Sequence, residues 1–285
     1  MNGRGADGLD SNQNKWNWIK ELMAKNHLGM ITLQETHLDQ EMLIQIQEFK
    51  KHNLLIENTA DPDNPTRKGG VAIVLQKKSA NVNGVTFKTV IPGRALLMQH
   101  PWHGDKVFTF LAIYAPAGSN KEKVKFYEEL NNRWDLDYLP QLDGWGGDFN
   151  FLTPTSNDPI PAREDNRDAL AALKKFRCRF DLIDGWRRFN EQSAKFTFRQ
   201  ANLARSRIDR IYLTKELMRD IQDWDIKSPN ITTDHDMVTT TIVDPIAPVT
   251  KHFPTPIPCL LMCAYHIFYL TSSATLFPFA PHVFH

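Results

Sequence analysis

Short apolar runs alternate along the chain with stretches in which apolar residues recur every three or four positions. Runs rich in apolar and β-branched residues predict strands at residues 29–34, 69–75, 106–114, 195–199, 208–213 and 237–243. Helical spacing begins near Ser11, Asn120 and Asn166, and a further short helix is predicted after Thr214. Because strands are mixed with irregularly placed helices, the pattern predicts an α/β fold, a sheet sandwich with outer helical layers.

The composition changes once, close to residue 245. We expect residues 1–245 to form the folded domain and residues 246–285 to form an apolar, Pro-containing tail outside it. No residue between Pro258 and Pro278 carries a formal charge, apart from any protonation of His266, a length that meets the criterion for a membrane span. A Thr-Ser-Ser sequence interrupts this stretch and no basic anchors flank it, so a membrane span is not expected.

The overall charge excludes some classes of protein and limits how others could work. With 34 Lys and Arg against 33 Asp and Glu, the formal net charge is +1, which excludes a histone-like coat protein and an acidic disordered tail. Nucleic acid could be bound only through a local basic surface. The low, odd count of 3 Cys implies no disulfide framework and favours a reducing compartment, and the N-terminus carries no signal peptide.

Acidic and amide residues follow two of the predicted strands. Glu35 comes directly after the run at residues 29–34, where its carboxylate could bind a hard cation such as Mg²⁺. Asp148 and Asn150 follow a Gly-Gly pair and share one face of an extended segment. A carboxylate that orients water beside an amide that donates to a phosphate oxygen suits phosphoester hydrolysis. An exposed Glu in a loop and an Asx-rich turn are the alternatives.

Three further polar residues lie in or beside later strands. His235 precedes the last strand, and histidine is the usual acid–base group near neutral pH. Asp209 is predicted to bind one nitrogen of its ring, because the adjacent Asp234 points elsewhere on an extended backbone. Tyr114 ends a strand, and its hydroxyl could reach a phosphate. The alternatives are a salt-bridged strand surface at Asp209 and an ordinary core tyrosine.

A basic cluster lies near these motifs. Its members could contact backbone phosphates, although a solvated charged face is the alternative; they are Arg187, Arg188, Arg199, Arg205, Arg207, Arg210 and Lys215.

Taken in order, the motifs resemble a known set. The set consists of Gln34-Glu35-Thr36-His37, Ile113-Tyr114-Ala115-Pro116, Gly147-Asp148-Phe149-Asn150, Ser206-Arg207-Ile208-Asp209 and Asp234-His235. It resembles the endonuclease/exonuclease/phosphatase superfamily, which includes deoxyribonuclease I. Within that superfamily the chain looks most like the endonuclease domain of non-LTR (LINE-type) retrotransposons, over about residues 2–243. Gly69-Gly70, Asp184-Gly185-Trp186 and Phe196-Thr197-Phe198 fit that branch.

The resemblance implies a fold, a reaction and a set of residue roles. The fold is a four-layered α/β/β/α sandwich, and the reaction is Mg²⁺-dependent phosphodiester hydrolysis, with Mn²⁺ as a possible substitute and no small-molecule cofactor. The metal-side residues are Glu35 and Asp234. The implied catalytic residues are Asp148 for the attacking water, Asn150 and Tyr114 for the phosphate, and His235 supported by Asp209. The predicted substrate-binding residues are Thr197, Arg199, Arg207 and Arg210.

Two departures from the family pattern shape the expectation. The first motif normally ends a core strand with Asn, whereas this chain begins Met1-Asn2-Gly3, so that Asn and its strand are expected to be missing. Retrotransposon endonucleases are normally joined to a reverse transcriptase, and this chain carries the uncharged tail instead.

The resulting prediction is a DNA endonuclease that nicks one strand, acting inside the cell in nucleus or cytoplasm. The alternatives are an abasic-site repair nuclease, a phosphoester phosphatase of the same superfamily, or an inactive truncated remnant.

Overall fold

The computed structural model describes residues 15–102, 105–152, 158–160, 167–200, 204–229, 233–243 and 259–263. The α-helices of this part of the chain are α1 (Lys15–Lys25), α2 (Gln40–Lys50), α3 (Asn120–Leu136), α4 (Arg167–Arg179) and α5 (Gly185–Phe189). The strands are β1 (Met30–Gln34), β2 (Leu54–Thr59), β3 (Val71–Gln76), β4 (Thr86–Ile91), β5 (Ala95–Pro101), β6 (Val107–Tyr114), β7 (Gly144–Asp148), β8 (Pro159–Ile160), β9 (Leu182–Asp184), β10 (Phe198–Arg199), β11 (Arg205–Ser206), β12 (Asp209–Thr214), β13 (Ile221–Lys227), β14 (Met237–Ile242) and β15 (Cys259–Cys263). A 3-10 helix, Leu217–Asp220, precedes β13.

Side-chain caps explain where two helices begin. Asp39 accepts a hydrogen bond from the backbone of Met42 at 2.8 Å and so starts α2. Ser119 and Glu122 form a reciprocal capping box, which starts α3 at the predicted position. The cap predicted at Ser11 lies outside the described residues.

The strands form a large sheet and smaller ones. The large sheet has the order β4-β5-β6-β7-β12-β9, and two three-stranded sheets have the orders β1-β3-β2 and β13-β14-β15. In the large sheet every pair is antiparallel except β6 and β7, which run parallel. β10, β11 and β8 form a small separate ladder. Of the strand predicted at residues 195–199, only the two residues of β10 pair in the structure.

Alternation along the strands separates the core into layers. In β3, Val71, Ile73 and Leu75 face the apolar cluster between the sheets, whereas Ala72 and Val74 face the cluster under α1 and α2. In the large sheet, β6 likewise divides its side chains between the inter-sheet cluster and a third cluster under α3 and α4. Two sheets therefore lie face to face with helices on both outer sides, as the predicted α/β/β/α sandwich requires.

A segment of the C-terminal tail adds a strand to the second layer. β15 pairs antiparallel with β14, from Val238 opposite Cys263 to Ile242 opposite Cys259, and it runs beside β1. The domain boundary at residue 245 stays a prediction, and the expected loss of a first strand concerns a part of the chain that the structure does not describe. In the described part of the chain, no helix combines the length and apolar character needed to cross a membrane.

Candidate active site

The topology of the large sheet brings three predicted site residues side by side. Because β6 and β7 run parallel, their last residues, Tyr114 and Asp148, are register partners. β12 runs the opposite way and starts where β7 ends, so Asp209 is the partner of Asp148 on its other side. Gly147 makes this spacing possible, since a Cβ there would lie 2.0 Å from the carbonyl oxygen of Ile113. The row Tyr114–Asp148–Asp209 therefore follows from strand direction alone.

His235 completes the row from the other sheet. It lies two residues before β14, and its Nδ1 is 2.9 Å from Oδ2 of Asp209, with both side chains buried. The ring of Phe198 packs on the imidazole with centroids 4.8 Å apart. A buried carboxylate at this distance fixes the orientation of the ring and favours its charged form.

Asp148 and Asn150 form a second polar pair. The backbone N–H of Asn150 donates to Oδ1 of Asp148 at 2.7 Å, and its Nδ2 donates to Oδ2 of Asp148 at 3.1 Å and to the carbonyl of Ala115 at 2.8 Å. Asn150 has a φ of 44°, in the left-handed region. These bonds hold the amide against the carboxylate, within the buried row.

Glu35 is joined to the row through Tyr114. The Tyr114 hydroxyl donates a short hydrogen bond to Oε1 of Glu35. Burial, together with the charges of Glu35 and Asp148, raises the pKa of Tyr114 well above its ordinary value. The hydroxyl therefore stays protonated and acts as a donor at any physiological pH.

Backbone strain is concentrated beside these residues. Glu35, His37 and Asn150 all have φ values between 44° and 50°, which non-glycine residues rarely adopt. Strained residues persist only where their surroundings hold them, and they cluster at functional sites.

The loop that carries Glu35 is held by a glycine pair. The backbone N–H groups of Thr36 and His37 donate to the carbonyls of Gly70 and Gly69, each at 3.4 Å. The Thr36 hydroxyl donates to Oδ1 of Asn58 at 2.7 Å. The Gly69-Gly70 pair, which the sequence marked only as a family feature, thus supports the predicted metal ligand.

We expect Gly70→Ala to reduce catalysis by about 10-fold or more, because small misplacements of catalytic groups are costly. Its φ is +100°, and an added Cβ would lie 2.3 Å from Oγ1 of Thr36, which would push the Glu35 loop outward. Gly84→Ala is the matched control, because Gly84 also has a positive φ but its Cβ would meet only Pro101. Initial cleavage rates and melting temperatures are compared. Equal losses of cleavage activity in both variants would contradict the role of Gly70.

The donor set fits a divalent cation. Asp148, Asp209 and His235 each offer one ligand atom, and these atoms lie within 4.8 Å of one another. Two buried carboxylates this close repel each other unless a proton or a cation compensates them. The buried Oδ1 of Asp234 also makes no hydrogen bond within the described residues. Glu35 lies outside this three-residue group and reaches it through Tyr114.

Two of the predicted substrate-binding residues lie in the interior. Arg207 donates to both oxygens of Asp158, at 2.9 and 3.0 Å, and to both oxygens of Asp184, at 3.1 and 2.7 Å. Although burial opposes its charge, Asp184 and Asp158 raise the pKa of Arg207. Arg210 is fully buried and donates to the carbonyl of Phe151 at 2.9 Å. Their carboxylate partners hold both guanidinium groups away from solvent, so this placement does not support contact with a substrate.

The other two predicted substrate-binding residues differ from each other. Oγ1 of Thr197 is buried and accepts from the backbone N–H groups of Ile208 and Asp209, at 3.1 and 3.0 Å. Thr197 therefore positions Asp209 rather than facing solvent. The side chain of Arg199 is 57% exposed at the rim and forms a close ion pair with Asp236.

Sequence reasoning missed Arg94, which lies beside Tyr114. Its guanidinium carbon is 4.6 Å from the centre of the Tyr114 ring, and its Nη1 donates to the carbonyl of Tyr114 at 3.3 Å. A signal existed in the Gly93-Arg94 turn that leads into β5, the strand that pairs with β6. That signal could be used only once β5 was known to pair with β6.

Solved structures with this fold are nucleases and a phosphatase. An AP endonuclease from Archaeoglobus fulgidus has a TM-score of 0.62 at 17% identity, covering 80% of this chain and 93% of its own. The 3′ phosphatase NExo from Neisseria, bound to a product DNA hairpin, has a TM-score of 0.58 at 17% identity, covering 82% and 96%. The endonuclease domain of TRAS1, a telomere-specific non-LTR retrotransposon, has a TM-score of 0.50 at 14% identity, covering 75% and 97%.

A sequence relative adds a link to mobile elements. An uncharacterized 149 kDa protein of transposon TX1 from Xenopus laevis is 30% identical over 147 residues, which is 49% of this chain. The matched segment spans 11% of that protein. No family model matches the chain. The predicted fold is thus confirmed, and the chain has the α/β sandwich shared by AP endonucleases and a retrotransposon endonuclease domain.

Proposed function

We propose that the protein is a Mg²⁺-dependent endonuclease that hydrolyses one strand of DNA. The observation that supports this most strongly is the buried group of Asp148, Asp209 and His235, lying beside Tyr114 and the Glu35 loop. The sequence relative in a transposon protein and the fold of a retrotransposon endonuclease domain support an origin in a mobile element.

The residues divide the work of phosphodiester hydrolysis. Mg²⁺, held by carboxylates among Glu35, Asp148, Asp209 and Asp234, would supply positive charge for the phosphate oxygens. Asp148 accepts a hydrogen bond from the attacking water and orients it. Because Asp209 binds Nδ1 of His235 at 2.9 Å, Nε2 is the ring nitrogen that would donate to the phosphate.

Two hydrogen-bond donors are already aimed at this place. The neutral Tyr114 hydroxyl donates toward Glu35, and the Asn150 amide donates to Asp148 and Ala115. Both groups can move these bonds to phosphate oxygens as negative charge develops, which lowers the barrier only in the transition state.

The neighbouring structures favour a second candidate. AP endonucleases have the same fold, so a repair nuclease acting at abasic sites is the alternative activity. It would use the same residues and would differ only in its substrate. A duplex with one abasic site, compared with the intact duplex, separates the two functions by the ratio of their cleavage rates.

A supercoiled-plasmid assay tests the proposal. We expect conversion to the nicked circle with Mg²⁺ or Mn²⁺, none with EDTA, and a loss of about 10²–10⁴-fold in His235→Ala, the range for a removed acid–base group. Equal nicking by wild type and His235→Ala would indicate a contaminating nuclease. Binding of the plasmid without cleavage in any metal would instead support an inactive remnant.

A further inference from the structure

Arg94 occupies a defined place at the mouth of the site. It ends the turn between β4 and β5, and its carbonyl accepts a hydrogen bond from the backbone of Tyr114 at 2.8 Å. This bond continues the β5–β6 ladder by one step, from Ala95 opposite Ile113. The strand pairing therefore fixes Arg94 directly across from the tyrosine.

The same turn is tied to the loop of Glu35. The carbonyl of Gly93 accepts from the backbone of Gly70 at 3.0 Å, and Gly70 in turn accepts from Thr36. Three segments of the chain, each bonded to the next through the backbone, thus carry Arg94, the glycine pair and Glu35. Arg94 is positioned as firmly as the predicted metal ligand.

The guanidinium is placed for a ligand outside the protein. It stacks on the face of the Tyr114 ring, with 4.6 Å between the guanidinium carbon and the ring centre, and one of its five N–H groups donates to a carbonyl. In the described part of the chain it forms no ion pair with a carboxylate, and its side chain is only partly buried. Arg207, by contrast, has all its strong donors engaged by carboxylates.

Neighbouring charges leave Arg94 as the available cation on this rim. Lys68 precedes the glycine pair, but its Nζ is 3.4 Å from Oδ2 of Asp61. Glu122 lies within electrostatic range of both cations: hydrogen bonds from Ser119 lower its pKa most, and Arg94 and Lys68 lower it further. Those Ser119 bonds keep Glu122 in its capping box at the start of α3.

We infer that Arg94 binds a backbone phosphate of the nucleic acid next to the scissile phosphate. The planar guanidinium can donate two parallel hydrogen bonds to one phosphate while it stays stacked on Tyr114. Together with Arg199 on the opposite rim, it would span the site with two phosphate contacts. This inference rests on the proposed function, because it deepens the substrate contact of the same site.

The test measures how binding depends on salt. Wild type, Arg94→Ala and Arg94→Lys are titrated with a fluorescent DNA duplex in EDTA, in KCl from about 50 to about 200 mM, the range over which phosphate contacts change affinity strongly. We expect Arg94→Ala to weaken binding by about 10-fold at the lower salt. We also expect it to reduce the slope of log K against log salt by about 0.9, the value for one lost phosphate contact. Arg94→Lys should keep the slope but raise KM in the nicking assay, because lysine loses the planar fork.

Two control variants isolate the effect. Arg133→Ala removes an exposed arginine that only pairs with Glu129 on α3, and it should leave the slope unchanged. Tyr114→Phe removes the hydroxyl but keeps the ring under Arg94, so it should lower kcat and also leave the slope unchanged.

The outcomes separate this inference from the proposed function. If wild type binds and nicks DNA but Arg94→Ala loses activity with an unchanged slope, Arg94 only supports Tyr114, and the phosphate contact is wrong. If the melting temperature of Arg94→Ala falls while affinity and slope stay the same, the conclusion is identical. If wild type shows neither salt-dependent binding nor nicking, the proposed function itself is wrong, and this inference with it.

Discussion

Asp209→Asn is expected to reduce DNA cleavage by about 10²–10⁴-fold, as when a catalytic acid–base group loses its function. The substitution keeps the shape of the side chain but removes the charge that lies 2.9 Å from Nδ1 of His235. In a site buried from water, the imidazolium then loses its nearby counter-charge, and the ring loses the partner that fixes its orientation. Single-turnover nicking rates at saturating metal measure the effect.

The fold should survive this substitution. The backbone N–H of Asp209 donates to Thr197 at 3.0 Å, and this bond does not involve the carboxylate. Asp225→Asn is the matched control, since Asp225 is exposed and pairs with Lys195 at 2.9 Å. An Asp209→Asn rate within a few-fold of that control would show that the buried pair has no part in catalysis.

Arg207→Ala is expected to lower the free energy of unfolding by about 3–5 kcal/mol, the cost of leaving one side of a buried ion pair unpaired. Arg207 is 1% exposed and binds Asp158 and Asp184 with four hydrogen bonds between 2.7 and 3.1 Å. Its removal leaves two buried carboxylates with too little positive charge. Since small domains are stable by only about 5–15 kcal/mol, much of the protein would unfold under mild conditions. Urea denaturation followed by circular dichroism measures the change.

An exposed arginine supplies the comparison. Arg188 pairs with Glu191 at 3.6 Å, and both side chains are about two-thirds exposed. Arg188→Ala should change the free energy of unfolding by less than about 1 kcal/mol. If Arg207→Ala were equally mild and lost DNA affinity instead, Arg207 would be a substrate contact after all.

The sequence identified many of the elements because their apolar patterns are strong. β1, β3 and β6 are buried on both faces and read as continuous apolar runs, and α3 carries a capping box and a regular apolar stripe. β4 was missed because its residues are mostly exposed. β5 and α2 were also missed, although β5 is apolar and buried.

Charge alone did not distinguish interior arginines from surface ones. Arg199, Arg207 and Arg210 lie within a few residues of one another, and local pattern treats them alike. Asp158 lies 49 residues and Asp184 lies 23 residues before Arg207. Only the folded chain brings these carboxylates to Arg207 and leaves Arg199 at the rim. The same limit applies to Arg94, whose position depends on a strand pairing that local pattern did not predict.

The pairing of β15 with β14 affects how the protein would behave outside its native state. β14 begins directly after His235 and Asp236, and it is bonded to β13 on one side and to β15 on the other. If residues 259–263 detached, β14 would present a row of unsatisfied N–H and C=O groups next to buried apolar side chains. Such a strand readily pairs with a strand of another molecule, which leads to aggregation or domain exchange. Association between molecules would therefore begin a few residues from the catalytic histidine.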